Sequence, residues 1–66
     1  MTNNEMTVFK KRIVDTAKAM LTKEYGYTRS EADAMIVKSC LEEAIERKPL
    51  LFVHMTPEQV LDIVFD

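Results

Sequence analysis

Sixty-six residues, 47% of them apolar and 30% charged, make one small globular domain at most and exclude a disordered chain. The formal charge of −2 argues against a general polyanion binder. One Cys and one His exclude an intrachain disulfide and a zinc cluster built from Cys and His of one chain.

The first helix is expected from about Asn4 to Tyr25, with Asn3 or Asn4 as its N-cap. At 100° per residue, Met6, Phe9, Ile13, Val14, Ala17, Met20 and Leu21 share one arc about 140° wide. Lys11, Arg12, Asp15, Lys18 and Lys23 lie mostly opposite, and Lys10 falls at the arc's edge, where its stem can cover apolar surface. Gly26 follows as the residue that accepts the left-handed conformation ending a helix.

A second helix is expected to begin after Thr28, because Thr28 and Glu31 form a capping box, and to run to about Arg47, ahead of Pro49. Its apolar stripe turns. Ala32, Met35, Ile36 and Cys40 point one way, whereas Val37, Leu41, Ala44 and Ile45 point more than about 100° away. Either the helix buries two sides or it bends near Ser39 and Cys40.

The residues from Leu50 to Met55 are apolar and β-prone but have no second strand to pair with, so an extended or irregular segment is expected, with at most a turn of 3₁₀ helix. Thr56, Pro57 and Gln59 then form a second capping box with proline at the first helical position, starting a last helix over Pro57 to Phe65. Val60, Leu61, Ile63, Val64 and Phe65 make that helix apolar nearly all round, and a helix of this length must dock to persist in water.

The fold expected from these elements is all-α: a long antiparallel hairpin of the first two helices with a short third helix packed across it, in a single domain over 1–66. No apolar run approaches the roughly 20 residues of a membrane helix. The first residues lack the apolar core of a signal peptide, so a cytoplasmic protein is expected.

Candidate chemistry is sparse. Cys40 and His54, oriented by Asp62, have the residue types of a nucleophile pair, but the chain offers no oxyanion cradle, and its only glycine serves a turn. Cys40 reads instead as a small buried hydrophobe and His54 as a partly buried loop residue. Glu42, Glu43 and Glu46 read as a solvated acidic face rather than a metal site. No catalytic residue, metal, cofactor or small-molecule substrate is expected.

Residues from Lys18 to Ser39 have the helix–turn–helix order of some DNA-binding regulators, and Lys10, Lys11 and Arg12 form a short basic run. The candidate recognition helix, however, carries Glu31 and Asp33 in its first turns. The first 25 residues net +2 while residues 26–66 net −4, a layout that opposes phosphate neutralisation.

The segment from Tyr25 to Ala32 resembles the corresponding stretch of ubiquitin-associated domains. In those three-helix modules a glycine followed by an aromatic residue joins helices 1 and 2, and that loop works with the last helix to hold a partner. The resemblance covers about eight residues and the helix order. It implies a partner site at the tyrosines and the last helix, without implying ubiquitin as the partner; the plainer reading is that the tyrosines seal the corner between the first two helices. Where that family has a short loop between helices 2 and 3, this chain has about ten residues, Arg47 to Thr56.

The functional expectation rests on surplus apolar surface: three short helices cannot hide a two-sided second helix, an all-round apolar third helix and the Leu50 to Val53 segment. A non-catalytic protein–protein interaction or regulatory module is expected, homodimeric, of the kind small bacterial or phage regulators exemplify. Its contact residues are expected to be Tyr25, Tyr27, Leu51, Phe52, Leu61, Val64 and Phe65. Met6, Met20 and Met35 sit on the helical stripes and read as core filler, with adaptable binding as the second reading of a methionine-rich chain.

Overall fold

A computed structural model describes residues 2–66. Five helices follow one another: α1 (Asn3–Lys23), α2 (Arg29–Ser39), α3 (Leu41–Arg47), α4 (Pro49–Val53) and α5 (Pro57–Phe65). The described residues contain no strand. The all-helical expectation holds, and the element count differs from it: the expected second helix is two helices, and the segment expected to be irregular contains α4.

Three of the five helices start with the same device. The Thr28 side chain accepts from the Glu31 N–H at 3.1 Å, and the Thr28 N–H donates to the Glu31 carboxylate at 2.8 Å. Thr56 and Gln59 repeat the exchange at 3.2 and 2.9 Å. Thr2 and Glu5 do the same at the start of α1, both bonds being 3.2 Å. Each box satisfies two backbone donors that a helix start leaves free. Thr2 therefore caps α1, and the expected caps Asn3 and Asn4 lie inside the helix. A hydroxyl followed three residues later by a carboxylate outcompetes an isolated Asn side chain because it forms two bonds instead of one.

α1 ends at Lys23, two residues short of the expected Tyr25, and Gly26 takes the left-handed turn at φ 76°. The Tyr27 N–H then donates to the Leu21 carbonyl at 3.0 Å, folding the chain back onto the helix end.

The break between α2 and α3 falls on Cys40, which is left-handed at φ 56° and ψ 36°. Its N–H donates to the Val37 carbonyl at 3.2 Å, and the Ser39 hydroxyl donates to the Ile36 carbonyl at 2.8 Å, which closes the α2 terminus. The Cys40 carbonyl accepts from the Ala44 N–H at 3.0 Å and opens α3. The bend is thus the resolution of the rotating stripe. Cys40 itself is exposed, which corrects the expectation of a buried hydrophobe: a residue held in a left-handed corner projects its side chain away from the two helices it joins.

α4 starts on Pro49 after Lys48, whose φ of −135° and ψ of 64° stop α3. Proline suits a first helical position because its fixed φ is helical and its missing N–H has no partner to lose.

The core draws on every helix: Val14, Ala17 and Leu21 from α1, Ala32 and Ile36 from α2, Leu41 and Ile45 from α3, Phe52 from α4, and Val60, Leu61 and Val64 from α5. α1 touches α2, α3 and α5, and α5 also touches α2. Met6, Phe9, Ile13 and Met20 extend the α1 stripe around this core.

The two left-handed positions give opposite predictions. No atom lies within 4 Å of where a Cβ on Gly26 would sit, so Gly26→Ala meets only backbone strain and should cost about 1 kcal/mol. Cys40→Gly should stabilise by about 1 kcal/mol, because glycine occupies the left-handed region without the Cβ penalty. Chemical denaturation of the two variants checks both signs.

Candidate protein-contact surface

Among the described residues seven large apolar ones are exposed: Val8, Tyr25, Val37, Leu50, Leu51, Val53 and Phe65. Three of them belong to α4, where Leu50 is 75% exposed, Leu51 51% and Val53 50%. Phe52, between them, is 4% exposed and reaches the core. Four consecutive apolar residues cover the whole circumference of a helical turn, so anchoring Phe52 inward turns the other three outward.

A second apolar feature is the corner where the turn after α1 meets the end of α5. The rings of Tyr25 and Phe65 meet edge to face at 5.2 Å between centroids, and Tyr27 lies 6.5 Å from Phe65. Tyr25 and Phe65 remain about half-exposed, and Tyr27 is half-buried. Edge-to-face geometry places the positive ring edge on the negative ring face. It fixes the last residue of α5 against the Gly26 turn.

Of the seven expected contact residues, then, Tyr25, Leu51 and Phe65 are exposed and Tyr27 is half-buried. Phe52, Leu61 and Val64 are buried, and their side chains hold the domain together instead of facing outward. Leu61 and Val64 lie inside because α5 is covered by both α1 and α2, which absorbs much of the apolar circumference that the sequence placed in surplus.

α1 supplies surface that sequence reasoning did not single out. Val8 is 57% exposed and lines a shallow groove with Asn4, Glu5, Phe9 and Arg12. The signal was available: Val8 stands outside the apolar arc, among the polar residues. A separate cleft of about 180 Å³ opens between Ile13 and Ala17 of α1, Phe52, Met55, Pro57 and Val60.

Charges sit at the periphery. Lys10 donates to the Glu46 carboxylate at 2.9 Å, tying α1 to α3, and Lys18 pairs with Asp33 at 2.8 Å, tying α1 to α2. The hydrogen bond to Glu46 pushes the Lys10 ammonium above its ordinary range. Lys10 keeps only part of its side chain exposed, as its place on the edge of the arc implied. Hydrogen bonds from the Thr2 N–H and then the Thr2 hydroxyl hold the Glu5 carboxyl below its ordinary range.

The cleft beside Cys40 is lined by Ser39, Glu43, Ala44, Arg47, Lys48, Phe52 and Ile63, and by neither His54 nor Asp62. His54 and Asp62 are exposed. Among the described residues no group of three or more His, Cys, Asp or Glu comes together as metal ligands would, and no helix is long and apolar enough to cross a membrane. No family model, curated protein or solved structure matches this chain.

Two predictions follow from the burial pattern and the cap. Phe52→Ala should cost about 3–5 kcal/mol, whereas Leu50→Ala, two residues earlier on the same helix, should change monomer stability by about 0.5 kcal/mol or less. Urea unfolding of the two variants checks the contrast. Because the folded Glu5 carboxyl is depressed, its contribution to the α1 start is present above its unfolded pKa and is lost as pH falls through the folded value. An NMR titration should show the Thr2 and Glu5 amides moving together with the Glu5 carboxyl carbon, below the ordinary glutamate range.

Proposed function

We propose that this chain is a non-catalytic protein–protein contact module that works as a homodimer in the cytoplasm, with α1 and α2 as its antiparallel supporting hairpin. The observation that carries the reading is α4: three of its five side chains are large, apolar and at least half exposed, next to a fourth that anchors the helix in the core. Single exposed apolar residues are ordinary, but a cluster on one turn of helix is the kind of surface that protein contacts use.

Size supports self-association. A domain of this length has a small core, and a second copy stabilises the folded form by mass action. The exposed tyrosine and phenylalanine of the aromatic corner add the residue types enriched at contact surfaces.

Light scattering coupled to size exclusion tests the homodimer. The expected mass is twice the 7.6 kDa of the chain, rising toward that value with concentration. A single monomer mass at every concentration up to about 1 mM, where binding weaker than about 4 kcal/mol is lost, refutes it.

A further inference from the structure

We infer that the second copy pairs through the outer face of α1, in an antiparallel register that sets Val8 against Phe9 and Glu5 against Arg12 of the other copy. The inference rests on the homodimer reading above but assigns self-association to α1, which leaves the exposed side chains of α4 outside the contact between the two copies.

Glu5, Val8, Phe9 and Arg12 line one groove along α1. At 100° per residue this face is turned away from Val14, Ala17 and Leu21, which hold α1 to the core, so a second helix can lie along it without disturbing the fold. Its centre is apolar: Val8 is 57% exposed and Phe9 half-buried. Its ends carry opposite charges, Glu5 one turn before the centre and Arg12 one turn after. Seven residues separate the two charges, about 10.5 Å along the axis, too far for them to pair within one helix. Arg12 belongs to neither of the ion pairs found among the described residues, Lys10–Glu46 and Lys18–Asp33.

A patch with an acid at one end, a base at the other and apolar residues between is self-complementary under a two-fold axis. Place the axis between Val8 and Phe9 and each residue i faces residue 17 − i of the second copy. Glu5 then meets Arg12, and by symmetry Arg12 meets Glu5, so each dimer gains two pairs across the apolar centre. The neighbouring charges do not oppose this register. Lys11 falls opposite Met6 and Asp15 opposite Thr2, while Lys10 is held by Glu46. Moving the axis to residue 10 sets Glu5 against Asp15, and moving it to residue 12 sets Arg12 against itself. Of these three registers the charges favour the one centred between Val8 and Phe9. Glu5 accepts from Thr2 through one carboxylate oxygen, which leaves the other for Arg12. The contact is short compared with the roughly 800 Å² per partner of a standard interface, so the dimer should exchange with monomer over the concentration series.

Charge reversal on the full chain tests the pairing, read by sedimentation equilibrium, with circular dichroism reporting that each variant is helical. Glu5→Arg and Arg12→Glu each turn two attractive pairs into two repulsive ones and should weaken the dimer by about tenfold or more. An equimolar mixture of the two single variants should recover wild-type association, because in the mixed dimer Arg at 5 faces Glu at 12 and Arg12 faces Glu5. The double variant E5R/R12E should recover it as well. Arg12→Glu leaves the Thr2 box intact, so its weakening cannot come from a lost cap. Leu50→Lys with Val53→Lys should leave the dimer in place. A wild-type dimer that the single reversals do not weaken, or that the mixture does not restore, overturns the α1 pairing and leaves self-association standing, as does dissociation by the α4 variant. A wild-type chain that stays monomeric throughout overturns both.

Discussion

The fold depends on one backbone constraint, the left-handed residue between α2 and α3. Ala32 and Leu41 are nine residues apart, as are Ile36 and Ile45, and nine residues of continuous helix separate side chains by about 180°. All four are nonetheless buried, with exposures of 0% to 3%. An unbroken helix would bury the pair Ala32 and Ile36 and present the pair Leu41 and Ile45 to water, or would need packing on two opposite sides. Turning the chain at Cys40 points both pairs at the same interior. α1 can then touch α2, α3 and α5 along one stripe, and a chain of this length acquires a single core instead of two half-cores. The turn places a non-glycine residue in the left-handed region, which costs roughly 1–2 kcal/mol, about what burying one medium-sized apolar side chain returns. With two pairs to bury, the break wins.

This explains which parts of the structure were readable from sequence. Helix starts were legible where a side chain makes a local bond: Thr28 with Glu31 and Thr56 with Gln59 give two reciprocal hydrogen bonds each within four residues, and no distant contact is needed to form them. Gly26 was legible for the same reason, since its turn requires the conformational freedom that only glycine has without strain. The rotating stripe announced a problem at Ser39 and Cys40 without choosing its solution. The choice belongs to tertiary burial, and cysteine carries no local preference for the left-handed region. α4 was hidden because its residues are β-prone and its helicity comes from Pro49 at its start and Phe52 in the core, which outweigh intrinsic preference over five residues.

The candidate surface was legible in kind and in part in place. Apolar excess was visible in composition and was placed at Leu50 to Val53, where three side chains are exposed, but the sequence also put it on the last helix, because α5 is apolar around most of its circumference. α5 is nonetheless well covered: Val60, Leu61 and Val64 are buried, Ile63 is half-buried, and Phe65 is met by Tyr25 and Tyr27. Periodicity reports how many faces a helix needs covered, not how many its neighbours will cover. The aromatic corner belongs to the same closure. The contact between Tyr25 and Phe65 joins the first turn of the chain to its last helix, so the features by which the Tyr-Gly-Tyr turn resembles ubiquitin-associated domains also serve to seal this five-helix fold.

The apolar residues left outside differ in why they are there. On α4 the exposure is forced: burying Phe52 in a helix of five residues with Leu50, Leu51 and Val53 around it leaves no arrangement that hides all four. On α1 it is not forced. Val8 lies in a helix with a complete buried stripe of its own, and a polar residue there would cost the monomer nothing. Helix geometry fixes where Leu50 and Val53 point, but a monomer requires an apolar side chain neither at Leu50 nor at Val8. Covering Val8 and Phe9 removes from water a patch whose burial is worth about 25 cal/mol for each Å². The acid and base at its ends determine which surface can do so: one that carries the same two charges in the opposite order, as a second copy of this helix does when turned end for end.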